Sequence, residues 1–312
     1  LYCSAESKRK GERIILHDAR IFDKSCARMY NFKINTCEVT FMRVLAVNDI
    51  SCVGKCSLTV ALPIISASGV TCDILPTAIL STHTGGFTGY TFRDLSEDIP
   101  AILAHWKSLG LKYDYIVSGY LGSIEQIDMV KSIKRDFLKE GGAMVVDPVM
   151  GDNGKLYAHF DKPFVEQMKG LCRIADIIVP NLTEACCLTD TDYASVTEKN
   201  YGEIIEKLKA LCPCPSVTGC DEVKNGRTES AVYYTDRNGE VKRYATEKIE
   251  GAFHGAGDVY VSALVGALAR GIAPDTAGAI AADCTKDSIR RTALDNPAAR
   301  YGGNSERRLL AL

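Results

Sequence analysis

The sequence predicts an α/β fold in three layers, a mostly parallel central sheet with helices on both faces. Three observations carry this. Short runs with strand composition at 44–47, 72–80, 115–118, 143–146, 177–179 and 216–218 alternate with longer amphipathic segments at 55–68, 95–109, 124–140, 164–174 and 201–211. Alternation of this kind pairs strands in parallel and lays the crossover helices on the sheet. Polar residues follow the strand candidates at Asn48-Asp49, Gly119-Tyr120, Asp147, Asn181 and Thr218-Gly219. In parallel α/β sheets, ligands sit at those carboxyl ends. Finally, 231–235 and 241–246 flank Asp236-Arg237-Asn238-Gly239, a hairpin signal that adds an antiparallel edge.

Along the chain, residues 1–41 mix basic, acidic, cysteine and aromatic residues without periodicity, and an apolar signal core is missing. We expect an extension outside the fold, with one domain over 42–312. Its first strand follows Met42, and its last two helices are broken near Gly271 and Pro274.

The composition is that of a globular protein, 46% apolar and 24% charged, with a net charge of −2 that gives no electrostatic footprint for nucleic acid or anionic membrane. No apolar run approaches the ~20 residues of a membrane span. The 13 cysteines are scattered, several within apolar stretches, as expected of a reduced, cytosolic chain rather than a disulfide framework. Cys186-Cys187 and Cys212-Pro213-Cys214 lack the second pair or histidines of a zinc site.

The most informative segment is Gly255-Ala256-Gly257-Asp258, running into an apolar, alanine-rich helical stretch. Backbone N–H groups at such a helix start, unshielded by bulky side chains, suit a phosphate. Asp258 adds a carboxylate, and an anion hole beside a carboxylate is what phosphoryl transfer to a hydroxyl requires. Taken alone, the turn fits a capped helix start equally well.

Asp147-Pro148-Val149-Met150-Gly151-Asp152 puts two acids in a sharp turn after a strand, either an acidic turn or a magnesium-proximal loop. Asn181-Leu182-Thr183-Glu184 opens a short helix, with Asn181 either a cap or a site residue. Two other motifs fail. Val53-Gly54-Lys55-Cys56 lacks the upstream glycine and the hydroxyl residue of a P-loop, and Gly85-Gly86-Phe87-Thr88-Gly89 has the wrong spacing for a dinucleotide fingerprint. Ser81-Thr82-His83-Thr84-Gly85-Gly86 reads as a flexible polar loop, without an inserted β-rich lid after the first strand.

The Gly-Ala-Gly-Asp turn, the Asn-x-x-Glu, the Asp-Pro-Val-Met-Gly-Asp run and Thr218-Gly219 occur in the order that resembles the ribokinase superfamily. Ser118-Gly119-Tyr120-Leu121-Gly122 and the Ser81–Gly85 stretch resemble its vitamin B6 kinases in particular. The resemblance implies a ribokinase-like sandwich and ATP-dependent phosphorylation of the hydroxymethyl group of pyridoxal, pyridoxamine or pyridoxine. It implies Asp258 as base, with the amides of Gly255, Ala256 and Gly257 on the transferring phosphoryl group. Ala256 stands where relatives often have threonine, which leaves the anion hole to the main chain. Asp147, Asp152, Asn181, Glu184, Thr218 and Gly219 are implied around ATP, with Asp147 and Glu184 reaching Mg2+ through water. Asp49, Thr84 and Tyr120 are implied on the substrate side, Asp49 replacing a common serine. A monovalent cation such as K+ and a cytoplasmic homodimer are further expectations. Two alternatives stay open: a hydroxymethylpyrimidine kinase, and a vitamer-binding protein without catalysis.

Overall fold

The computed structural model describes residues 42–236, 238–251 and 253–295; the expected extension over 1–41 lies outside the described residues. The chain runs β1 (Arg43–Val53), α1 (Leu58–Ala67), β2 (Thr71–Thr82), β3 (Phe92–Asp94), α2 (Ile99–Ser108), β4 (Tyr113–Ser118), α3 (Ile124–Phe137) and β5 (Leu138–Val146). A small hairpin, β6 (Gly151–Asp152) and β7 (Lys155–Leu156), precedes α4 (Lys162–Cys172), β8 (Ile177–Ile178), α5 (Leu182–Leu188) and α6 (Tyr201–Lys209). Then come β9 (Cys214–Lys224), β10 (Arg227–Thr235), β11 (Val241–Glu247), α7 (Ala256–Ala269) and α8 (Pro274–Asp295).

Nine strands form one sheet in the order β11-β10-β9-β8-β5-β4-β1-β2-β3. Its middle, from β2 to β9, is parallel, and β3, β10 and β11 add antiparallel edges. This is the predicted architecture. Alternate residues of the central strands serve opposite faces, as a period of two requires. Leu45, Val47, Met144 and Val146 pack with α3, α4 and α6. Val44, Ala46 and Val145 meet α1, α7 and α8 on the other side.

Register matters most for function. Val47 pairs with Ser118, Ser118 with Val146, and Val146 with Ile178, so β4, β5 and β8 end level with Val47 of β1. A bridge from Asn181 to Thr218 continues the line. Asn48, Gly119, Asp147, Asn181 and Thr218 therefore share one edge of the sheet.

Two elements differ from expectation. The helical pattern over 124–140 stops at Phe137, and Leu138 is already extended (φ −72°, ψ 135°), opening β5. Gly141 at φ 76° and Gly142 follow, neither of which favours helix. The second difference is a small β arm after the first strand, where no inserted β element was expected; the loop expected over 81–86 is strand only at Ser81 and Thr82. A register shift between Asn48 and Ile50 carries β1 past the sheet, where Ser51 pairs with Leu80 and Val53 with Thr82. β3 closes the arm against 78–80 of β2.

Candidate active site

Where the strands end, a cavity of about 290 Å3 opens between the sheet edge and the start of α7. Gly255 caps α7 with φ 80° and ψ 3°, a left-handed conformation that suits glycine. Its Cα also presses on the chain before α1, since a Cβ there would stand 2.2 Å from the carbonyl oxygen of Lys55. Gly255, Ala256 and Gly257 line the cavity as the first residues at the helix start, with Asp258 in the first turn.

Asp258 is held from two sides. Asn48 Nδ2 donates to its Oδ1 at 3.3 Å, and Ser57 contributes a backbone hydrogen bond. Burial nevertheless raises its carboxyl to about 6, helped by the nearby charge of Asp49. Asn48 is fixed in turn, its Oδ1 accepting from the amides of Asp49 at 2.9 Å and Tyr120 at 2.8 Å. Gly119 makes this possible, because a Cβ there would lie 2.1 Å from Asn48 Nδ2.

The opposite wall is acidic. Asp147 and Glu184 are both buried, and burial together with their mutual repulsion holds Asp147 well above the ordinary carboxyl range. Glu184 is raised by burial and opposed by backbone donors. It accepts from Met150 N at 3.1 Å and Asn181 N at 2.8 Å, while Asn181 Oδ1 accepts from Glu184 N at 2.9 Å. That reciprocal pair is a capping box, so one motif both starts α5 and points Glu184 at the acidic loop. Asn181 Nδ2 also donates to Gly151 O at 2.8 Å, tying α5 to the β6–β7 hairpin. A Cβ at Gly257 would stand 3.9 Å from Asp147 Oδ2, so the acidic wall and the helix start face each other closely.

No Lys or Arg is among the described residues lining this cavity, although Asp147, Glu184 and Asp258 all reach it. Such a carboxylate set fits a divalent cation. No group of three or more His, Cys, Asp or Glu side chains placed to hold a metal ion exists among the described residues.

The cavity collects most of the sequence-predicted residues: Asp152, Thr218 and Tyr120 line it beside those already described. Asp49, Thr84 and Gly219 are not among its lining residues. Asp49 is buried one layer behind, its oxygens accepting from Ser57 Oγ at 2.5 Å and Ser51 Oγ at 3.0 Å. Thr84 is exposed; the neighbouring His83 is buried instead, its ring 5.0 Å from that of His254. Gly219 turns the chain at φ 71° just beyond Thr218.

Sequence reasoning missed Ser57, Val149, Tyr157, Phe253 and His254, all of which line the cavity. His254, next to the glycine turn, carried a usable signal. Ser57 carried none, because its place depends on the bulged course of β1.

The family comparison agrees with this geometry. Residues 63–300 match the family described as phosphomethylpyrimidine kinase. A protein from Bacteroides thetaiotaomicron, provisionally named a phosphomethylpyrimidine kinase, superposes with a TM-score of 0.82 at 34% identity, covering 88% of this chain and 96% of its own. A second crystal form of that protein, with pyridoxal, gives a TM-score of 0.77. The pyridoxal kinase of Lactobacillus plantarum gives 0.78 at 30% identity, covering 87% of this chain and 96% of its own. Among curated sequences, a provisionally named pyridoxal kinase of Caenorhabditis elegans is 28% identical over 161 residues. That match spans 49% of this chain and 48% of the relative, about half of each. Fold, edge geometry and sequence thus agree, and the chain belongs to the phosphomethylpyrimidine kinase family, within the ribokinase superfamily and similar to its vitamin B6 kinases.

Proposed function

We propose that this protein is a kinase that transfers the γ-phosphoryl group of ATP to the hydroxymethyl group of a B6 vitamer. The observation that carries the reading is the meeting, in one cavity, of a glycine helix start, a carboxylate in its first turn and two buried acids across from it. In this reading the substrate hydroxyl oxygen attacks the γ-phosphorus, the bond to the bridging oxygen breaks, and ADP leaves. The hydroxyl proton passes to Asp258. Amides at 255–257 donate to the charge on the transferring group, which a fixed hydrogen-bonding wall stabilises better than water does.

In the same reading Asn48, bonded to Asp258, orients it; of the cavity-lining residues, Tyr120 would serve the vitamer and Asp152, Asn181 and Thr218 the nucleotide. Asp147 and Glu184 would hold Mg2+ through water, and the ion would neutralise phosphate charge. The same reading takes 42–312 as one catalytic domain with 1–41 outside it, in a cytoplasmic homodimer; sedimentation measures the oligomer directly. Among the described residues, no helix is long and apolar enough to cross a membrane.

The family description supports a second reading, phosphorylation of hydroxymethylpyrimidine, a flat heteroaromatic with the same alcohol arm. The test is ADP release with pyridoxal, pyridoxamine, pyridoxine and hydroxymethylpyrimidine. Turnover of the vitamers supports the first reading. Turnover of the pyrimidine alone replaces it with the second, and binding without ADP release makes the protein a carrier.

A further inference from the structure

Ser57 carries a backbone that serine avoids. Its φ of 57° and ψ of −132° place it outside the regions open to residues with a Cβ, in territory that glycine occupies readily. Such strain persists only where the surroundings over-determine it, and it gathers at functional sites. Here the surroundings are two acids. The Ser57 backbone hydrogen-bonds to Asp258, and its hydroxyl donates to Asp49 Oδ1 at 2.5 Å. Ser57 lines the cavity, whereas Asp49 lies behind it.

The consequence is chemical. A hydroxyl has one proton to give. Asp49 accepts from Ser57 Oγ and from Ser51 Oγ at 3.0 Å; burial raises its carboxyl, and these two donors oppose that rise by favouring the charged, acceptor form. With its proton committed to Asp49, Ser57 Oγ meets an incoming molecule only as an acceptor, with an anion behind it.

We infer that Ser57, backed by Asp49, selects substrates carrying a hydrogen-bond donor, preferably a cationic amine, on the ring position next to the hydroxymethyl arm. That position follows from the geometry: the arm must reach Asp258, and Ser57 is bonded to Asp258. Pyridoxamine and hydroxymethylpyrimidine carry such an amine. The aldehyde of pyridoxal offers only an acceptor. This inference rests on the proposed kinase reading and deepens it.

The test compares kcat/KM for pyridoxamine and pyridoxal by ADP release in the wild type, Ser57→Gly and Asp49→Asn. Glycine adopts the observed backbone without strain, so Ser57→Gly removes the hydroxymethyl side chain, and the hydroxyl with it, without disturbing the turn. The wild type should favour pyridoxamine by about tenfold or more, the size of one charge-backed hydrogen bond. In Ser57→Gly that ratio should collapse toward one, through the KM for pyridoxamine, with the KM for ATP little moved. In Asp49→Asn the new amide donates to Ser57, freeing the hydroxyl proton to turn outward, and the ratio should shift toward pyridoxal. Should Ser57→Gly not fold, Asp49→Asn alone decides. A wild-type ratio near one, or a ratio unchanged in the folded variants, overturns the inference and leaves the kinase reading intact. Absence of ADP release with every substrate removes both.

Discussion

At the scale of single residues, the proposed chemistry turns on Asp258. A carboxylate with an ordinary pKa near ~4 is a poor match for an alcohol proton. Burial brings Asp258 to about 6, which narrows the mismatch while leaving the base form dominant at neutral pH. The sign follows: only the deprotonated acid accepts a proton, so kcat/KM should rise with pH through about 6 and level above it. A flat profile from pH ~5 to ~8, measured under kcat/KM conditions, would exclude the role. Asp258→Asn keeps the shape and removes the base. It should lower kcat by at least ~100-fold, with ATP affinity nearly unchanged by titration calorimetry. Gly119 gives an independent check on Asn48. A Cβ there falls 2.1 Å from the Asn48 amide, so Gly119→Ala must displace the group that aims Asp258. The expected outcome is a loss of kcat with retained nucleotide binding; wild-type kcat would show that Asp258 needs no such support.

Among the elements, α5 shows how a common motif becomes a site. Asn181 and Glu184 satisfy each other's backbone amides, which any helix start welcomes. The site arises because Glu184 also holds the Met150 amide and Asn181 holds Gly151 O, joining the helix to the acidic loop. Asn181→Ala should cost about 1–2 kcal/mol as a lost cap, a fall of several degrees in Tm. Nucleotide affinity should fall with it, because the acidic loop loses its tether. A Tm change without a change in ATP binding would leave Asn181 as a cap alone. This also explains what was readable in advance. The Asn-x-x-Glu, the acidic loop and the glycine turn are local patterns, visible because each satisfies its own backbone. Asp49 and Ser57 were misplaced or missed because Asp49 sits in the irregularity between Asn48 and Ile50, and Ser57 bridges to Ile50 just past it. One residue of register decides which side chain faces the cavity. Thr84 differs for another reason: it follows the end of β2 in a loop, where it is exposed and the neighbouring His83 is buried.

For the whole molecule, the parallel sheet was legible from alternation alone, since strand-helix repetition leaves few other ways to bury both faces. Its consequence is a single edge where three strand ends and the neighbouring stretches of β1 and β9 meet, with acids on one wall and the helix start opposite. An assembly of this kind carries repulsion that a ligand relieves. Asp147, Glu184 and Asp258 are raised chiefly by burial, and no Lys or Arg among the described lining residues offsets them. Binding of Mg-ATP should therefore stabilise the fold well beyond binding of ATP alone. Saturation at about 100 times Kd contributes ~2.7 kcal/mol, which for a domain of this size means a rise in Tm of roughly 5–10 °C. With excess chelator the rise should fall to less than half, because the nucleotide then adds negative charge to an acidic cavity. Asp147→Asn replaces one of those acids with a neutral amide of nearly the same shape. It should lift the Tm of the free protein, reduce the added effect of magnesium and lower kcat, a pattern that loss of packing would not give. Equal shifts with and without the chelator, measured by differential scanning fluorimetry, would show that these acids do not hold the ion.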